Sequence, residues 1–339
     1  MTQYRHDYST KRDKLFRKLH SAFFKLIKDR EKANIFYASY RHRNKQPGKT
    51  YMIQYMTQQP NFGAGFGHGL DVWRAGVINA KALGLEYAYT PMVTDEWDRA
   101  LGLGEKEESC EKLINQGYRV VKLPYYDMRD KMSRELIEKI IRSYRVEKVI
   151  FLNEFEQDSA PKDMDAGNAF MRKKFFEAAA RKEDKLIYDK KKLNVAVHIR
   201  RGDVSEGMKA GDESMRKRWL DESYYVKVIE SIEEQLKDKE KEAVFYIFSE
   251  GDVDDFPELK KLERVKFCLD MPAVESFVHM CRADLLVTGL SSFSYDPGLI
   301  NPVKKIAPKK FWNPYPKNGE WIFADENGNI AEEELKCLF

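Results

Sequence analysis

Apolar residues along this chain fall into short β-branched runs that alternate with stretches where they recur every three or four positions. In the second half, residues 193–199 (LNVAVHI), 243–248 (AVFYIF), 265–269 and 285–288 (LLVT) read as buried strands, with a fifth over 303–307. Between them, 221–236 (DESYYVKVIESIEEQL) has helical spacing at Tyr225, Val228, Ile229 and Ile232. Residues 272–281 read as a helix with Pro272 near its start, where a missing N–H costs least. The first half repeats the grammar. It has a strand at 51–55, a glycine-rich loop at 63–69 (GAGFGHG), a helix at 70–83 and strands near 87–89, 119–123 and 148–152. A long helix over 166–181 closes it. Strands separated by helices predict right-handed βαβ units and parallel sheets. The charged stretch 181–192 (RKEDKLIYDKKK) offers few core residues and reads as a boundary. The expected architecture is α/β: two doubly wound domains in tandem, 1–185 and 186–339, facing each other across a cleft.

Length and composition agree with this division. The 339 residues exceed ordinary single-domain size, and 42% apolar with 13% aromatic residues suffices for two cores. The charged fraction of 34% is high but nearly sign-balanced, which suits a globular chain. Cys110, Cys268, Cys281 and Cys337 form no C-x-x-C pair and read as thiols of a reducing compartment. No apolar run approaches membrane-spanning length and the first residues are too polar for a signal peptide, so a cytoplasmic location is expected.

The net charge of +4 conceals an asymmetry: residues 1–50 carry 14 Lys and Arg against 4 Asp and Glu. Within residues 11–30, Leu15, Phe16, Leu19, Phe23, Leu26 and Ile27 recur near helical spacing among Lys14, Arg17, Lys18, Lys25 and Lys28. This is a basic amphipathic helix, which either rests on an anionic membrane surface or packs on its own domain with a solvated basic face. The rest of the chain is acidic and carries no nucleic-acid-binding motif, so no nucleic-acid partner is expected.

In an open parallel sheet, ligands bind outside the carboxyl ends of the strands. The first strand of the second half ends in His198-Ile199-Arg200-Arg201-Gly202-Asp203. Two adjacent arginines at a strand end suit a diphosphate, which a guanidinium fork grips bidentately, with Asp203 holding one of them. The alternative is a surface turn with an Asp–Arg pair. The fourth strand leads into Gly289-Leu290-Ser291-Ser292-Phe293-Ser294. Hydroxyls and backbone N–H groups at a helix start form a phosphate cradle, or simply cap the helix.

The run VAVHIRRGD resembles the HxRRxD motif of the α1,2-, α1,6- and protein O-fucosyltransferases. The stretch 282–299 (RADLLVTGLSSFSYDPGL) is similar to that family's strand–(S/T)SFS–helix segment, and Tyr224-Tyr225 fits the pattern of the α1,2-enzymes. The resemblance implies a GT-B-like fold of two Rossmann-type domains. It also implies an inverting transferase that uses GDP-fucose as donor substrate, with no metal and no other cofactor. Arg200 would contact the donor β-phosphate, His198 would lie beside the nucleotide, and Ser291, Ser292, Phe293 and Ser294 would line the phosphates. Arg201 belongs to the same donor motif. The glycine loop departs from the family: Gly65-Phe66-Gly67 is followed by His68, where the family has asparagine on the donor. His68 either replaces that amide, marks a different hexose or is a plain loop residue.

The implied partners are therefore a nucleotide-sugar donor and a glycan or glycoconjugate acceptor. Without a metal, departure of the nucleoside diphosphate rests on fixed positive charge and oriented dipoles. Asp203 or Glu206 is a candidate base for the acceptor hydroxyl, although pairing with arginine is the commoner fate of such an aspartate. Asp270, at the end of the third strand, either accepts from guanine or caps the next helix. Asp252-Val253-Asp254-Asp255 resembles the metal-binding DxD of another glycosyltransferase fold, but Pro257 close behind it favours a solvated helix-capping loop.

Overall fold

The computed structural model describes residues 51–58, 65–91, 94–124, 126–153, 164–237, 239 and 241–338. The basic stretch 11–30 and the start of the glycine loop lie outside the described residues. The chain divides between Ala180 and Arg181 into two compact units.

The first unit runs β1 (Tyr55–Gln58), α1 (Phe66–Ala82), β2 (Glu86–Tyr87), α2 (Asp95–Leu101), α3 (Cys110–Asn115), β3 (Arg119–Lys122), α4 (Lys131–Arg142), β4 (Val149–Asn153) and α5 (Asp165–Glu177). Its sheet has the order β2-β1-β4-β3, with every pair parallel. Alternation along β4 sets the packing. Val149 and Phe151 pack with Leu136, Ile137, Ile140 and Ile141 of α4, while Ile150 joins Cys110 and Leu113 of α3 in a separate cluster.

Three expected boundaries move. The first strand begins at Tyr55 rather than 51, because Tyr51 and Ile53 are exposed and the chain enters the sheet only beside β4. The following helix begins at Phe66 rather than 70, so Gly67 and His68 lie in its first turn and not in a loop. Glycine disfavours a helix by roughly 1 kcal/mol, but here Gly67 and Gly69 are buried and Phe66 stacks on Trp97 of α2, with centroids 3.6 Å apart. Tertiary packing thus outweighs local propensity. The long helix stops at Glu177, since Ala178 is extended and packs under Gly102.

The second unit runs β5 (Leu193–His198), α6 (Asp203–Lys209), α7 (Glu213–Arg216), α8 (Glu222–Leu236), β6 (Ala243–Ser249), β7 (Val265–Leu269), α9 (Ala273–Arg282), β8 (Leu285–Val287), α10 (Ser292–Ile300), β9 (Lys305–Pro308), β10 (Trp321–Ala324) and α11 (Glu332–Leu335). All strands are parallel in the order β10-β9-β8-β5-β6-β7. The period-two alternation places Val195, Val197, Phe245, Ile247, Leu285 and Val287 on one face, against Tyr225, Val228, Ile229 and Ile232 of α8. Ala196, Val244, Tyr246, Phe248 and Leu286 take the other face, with Met280 of α9. Both faces are covered, which explains why these strands read as continuous apolar runs. A sixth strand, β10, was not expected from the apolar pattern. Its four residues show no alternation, and it forms by pairing beside β9.

The charged segment before β5 belongs to this unit. Tyr188 Oη donates to the His279 carbonyl at 2.7 Å, and the Ile187 amide donates to His279 Nε2 at 3.1 Å. With Nε2 accepting, Nδ1 carries the proton of a neutral ring and lies 2.7 Å from the Glu275 carbonyl; burial lowers the pKa, against the raising effect of that carbonyl. Among the described residues no helix is long and apolar enough to cross a membrane. Cys110, Cys268 and Cys281 are buried free thiols and Cys337 is an exposed one.

Candidate functional site

The strand order defines where an open sheet of this kind offers room for a ligand in the second unit. From β5 the chain proceeds to β6 on one side, whereas from β8, the other neighbour of β5, it proceeds to β9 on the opposite side. The connections diverge at the carboxyl ends of β5 and β8, and such a switch point leaves a crevice in an open α/β sheet. The two segments that flank it are 199–203 and 288–294. Both had been singled out from sequence.

The two arginines have different fates. Arg200, with a side chain 20% exposed, donates from Nε to Asp203 Oδ1 at 3.2 Å and from Nη2 to Oδ2 at 2.7 Å. That bidentate pair uses one edge of the guanidinium and leaves the Nη1–Nη2 edge for a second planar or tetrahedral anion. Arg201 is buried instead. It donates from Nη1 to the Arg200 carbonyl at 3.0 Å and from Nη2 to the Leu220 carbonyl at 3.2 Å, and it lies 3.7 Å over the Trp219 ring. Burial lowers its pKa from the usual arginine range. Arg201 thus ties the 199–203 turn to the 219–220 segment and aims its neighbour.

Asp203 is the first residue of α6. Its hydrogen bond from Arg200 holds the carboxyl below the ordinary range, so in this arrangement it is a weak proton acceptor. Glu206, one turn on, is exposed. Gly202, just before Asp203, has φ +48° and ψ −112°, and the carboxylate of Glu250, just beyond β6, sits directly over it.

Across the crevice, Ser291 caps α10 by accepting from the Phe293 amide at 3.2 Å. Ser294 donates to the Ser291 carbonyl and accepts from the Gly289 amide, each at 3.2 Å. Both serines are buried, and their hydroxyls staple the turn. Ser292 and Phe293 are half-buried, and the Ser292 amide and hydroxyl make no hydrogen bond among the described residues. The helix-capping reading of the serine cluster therefore describes Ser291 and Ser294, whereas the polar groups of Ser292 take no part in the cap. Replacing Ser291 by Ala should cost ~1 kcal/mol of stability as a lost N-cap, measured as a lower urea midpoint with unchanged slope.

His198 ends β5 under this turn. Its ring is buried and tilted against Phe293, with centroids 5.6 Å apart, and its Nδ1 has no partner among the described residues. Gly289 permits the close approach: a Cβ there would stand 2.8 Å from Tyr225 Oη and 3.0 Å from the His198 carbonyl. Thr288 Oγ1, beside it, is also buried without a partner among the described residues. Unpaired buried polar atoms are rare in native proteins, and two occur here within adjacent strand ends. Burial, reinforced by Arg200 and Arg201, pushes the His198 pKa down to about 3. A histidine depressed from 6.5 stabilises the fold fully above pH 6.5 and loses that contribution as pH falls towards 3. His198→Phe should therefore flatten the loss of stability between pH 6.5 and 4 by up to roughly 1.4 kcal/mol per pH unit, as read from denaturation midpoints.

The remaining candidates are dispersed. Asp270 is exposed just past β7, with φ +54° and its amide bonded to the Ser249 carbonyl at 3.1 Å. It does not cap α9, whose N-cap is Pro272 without a side-chain bond. In the first unit, Gly65 is the N-cap residue of α1 without a side-chain cap, none of the described residues stands where its Cβ would be, and His68 is half-buried in the first turn. Asp252 and Asp255 form a capping box around a short 3-10 turn and Asp254 pairs with Lys260, which is the solvated-loop reading of that acidic run. Sequence reasoning overlooked Glu250 over Gly202, and Trp219 under Arg201. The first signal was available, since a carboxylate directly after a strand end is a standard place to look.

No family model and no curated protein sequence matches the chain. Solved structures do align with it. POFUT1 in complex with GDP-fucose is 14% identical with a TM-score of 0.45, covering 81% of this chain and 98% of that one. The fucosyltransferase NodZ from Bradyrhizobium is 12% identical with a TM-score of 0.43, covering 79% and 98%. A mutant of Arabidopsis thaliana FUT1 in complex with GDP is 11% identical with a TM-score of 0.43, covering 83% and 76%.

Proposed function

We propose that the chain is an inverting, metal-independent glycosyltransferase. It binds a nucleoside diphosphate sugar at the switch point of its second unit and transfers the sugar to a glycan hydroxyl. GDP-fucose is the donor that the resemblance of its motifs favours. The observation that carries this reading is the pairing, across one crevice, of an anchored arginine with a free guanidinium edge and the serine-capped start of α10. Departure of the diphosphate needs positive charge already in place, and Arg200, the Ser292 amide and hydroxyl, and the α10 dipole supply it. The acceptor hydroxyl oxygen attacks the anomeric carbon from the face opposite the leaving group, the bond from that carbon to the β-phosphate oxygen breaks with its electron pair going to the diphosphate, and the hydroxyl proton is released to solvent. Asp203, engaged with Arg200, acts in this reading as the residue that positions the guanidinium. Asp270 lies on the β7 side of the crevice, where the base of the nucleotide would reach. The first unit is the source of acceptor contacts, and the protein works in the cytoplasm.

A second reading keeps the site and changes the sugar. It is favoured by His68, which stands where the resembled family has asparagine. A thermal-shift screen of GDP, UDP, ADP and their sugar conjugates, with and without magnesium, tests both. Magnesium-independent stabilisation by GDP and GDP-fucose supports the first reading. A preference for another nucleotide sugar supports the second, and no response to any of them overturns both.

A further inference from the structure

One feature of the second unit remains unused by the donor site. The segment after β9 carries Phe311, Trp312, Pro314 and Tyr315, and it is bolted to the start of α10: Tyr295 Oη donates to the Pro314 carbonyl at 2.7 Å. Tyr315 Oη donates to the Pro308 carbonyl at 2.9 Å, and its ring packs 4.8 Å from Trp321 and 5.1 Å from Phe323. Every aromatic ring in this stack is supported by others, yet Trp312 is 50% exposed. Among the described residues it is the one large aromatic side chain of the second unit so exposed. Arg218, from the segment that follows α7, stands over its ring at 5.6 Å. Arg218 immediately precedes Trp219 and Leu220, which hold Arg201 from below and by a carbonyl, so the pair is joined through the chain to the 199–203 turn. Phe311 packs on this ring with centroids 4.1 Å apart, and the half of the indole left exposed beside the Arg218 guanidinium suits a ligand with one apolar face and several hydroxyls, because the ring takes C–H groups and the guanidinium takes hydroxyl oxygens.

The sheet order says which part of a ligand arrives there. Strands lie roughly 4.8 Å apart, so β9 stands about 7 Å from the β5–β8 midline and β7 about 12 Å on the other side. A nucleotide sugar with its diphosphate on the midline and its base towards β7 directs its sugar end towards β9. We propose that Trp312 and Arg218 form a stacking platform for a pyranose ring, supplied either by the donor or by the acceptor. This rests on the donor-site reading above.

The test uses the full chain and its Trp312→Ala, Trp312→Phe and Arg218→Ala variants, with GDP, GDP-fucose and free oligosaccharides (lactose, N-acetyllactosamine, chitotetraose) as probes in thermal shift and titration calorimetry. Trp312→Ala should respond to GDP as the wild type does. It should lose at least tenfold in affinity for the sugar-bearing probes. Loss of the GDP-fucose increment over GDP assigns the platform to the donor sugar; loss confined to oligosaccharide binding in the presence of GDP assigns it to the acceptor. Trp312→Phe, which retains a ring, should recover most of the affinity, and Arg218→Ala should show a smaller loss. In the wild type the same sugar should shield tryptophan fluorescence from iodide, and the shielding should vanish in Trp312→Phe. Sugar affinities in Trp312→Ala equal to wild type overturn the platform alone, as does a variant of native unliganded stability that has lost GDP itself. A wild-type chain with no response to GDP overturns the donor site and the platform with it.

Discussion

Arg200→Ala is expected to lose most transfer activity while folding normally. Its side chain touches the fold chiefly through Asp203, which is itself 56% exposed, so little stability depends on the pair. A bound diphosphate, in contrast, would lose its fixed counter-charge in a partly desolvated crevice. Truncating one member of such a pair costs roughly 2–5 kcal/mol, about thirtyfold to several-thousandfold in kcat/KM. Arg200→Lys should be nearly as poor, because an ammonium cannot hold Asp203 by one edge and phosphate by another. Asp203→Asn separates positioning from proton transfer. If Asp203 only aims Arg200, the variant loses donor affinity and keeps the pH profile of kcat; if it is the base, kcat collapses and the profile loses its acidic limb. Near-wild-type turnover in a folded Arg200→Ala variant would remove the donor-site assignment.

Gly202→Ala should be the most damaging small substitution in the turn. A residue at φ +48°, ψ −112° is comfortable only as glycine, and imposing a side chain stores roughly 1–3 kcal/mol of backbone strain. The new methyl would also stand 1.5 Å from Glu250 Oε2. Glu250 is exposed and can swing away, so the backbone strain is the larger effect. Relief by rotation of Gly202 would swing Asp203 and with it the Arg200 guanidinium. Nucleotide affinity should therefore fall by tenfold or more, beyond what the lower melting temperature explains. Adding Glu250→Ala to Gly202→Ala discriminates the two causes: strain predicts no recovery, whereas crowding predicts recovery of both stability and binding.

How much of this was legible beforehand differs by residue. Strands β5 and β6 could be placed almost to the residue, because a strand covered on both faces must be apolar at nearly every position. The first turn of α1 was misread, since Gly67 and Gly69 argue for a loop until Phe66 finds Trp97. The 199–203 and 288–294 turns were found because the carboxyl end of a parallel strand is where backbone and side chains are left for ligands. Their inner division of labour was not visible. Arg200 and Arg201 are identical letters in adjacent positions, and only the three-dimensional path of the chain sends one into Trp219 and the Leu220 carbonyl and leaves the other on Asp203. Ser291, Ser292 and Ser294 divide in the same way, two into the cap and one outward.

By itself the sequence determined the parallel α/β class, the order of most elements and the two turns in which chemistry was to be sought. These follow from short-range periodicity and from glycine, proline and charge at strand ends, which act within a few residues. Only the tertiary structure decided that β8 returns beside β5 to open a switch point and that Trp312 remains half-exposed beside Arg218. Those outcomes depend on which distant segments meet, and the energy that selects them is burial shared among residues far apart in the chain.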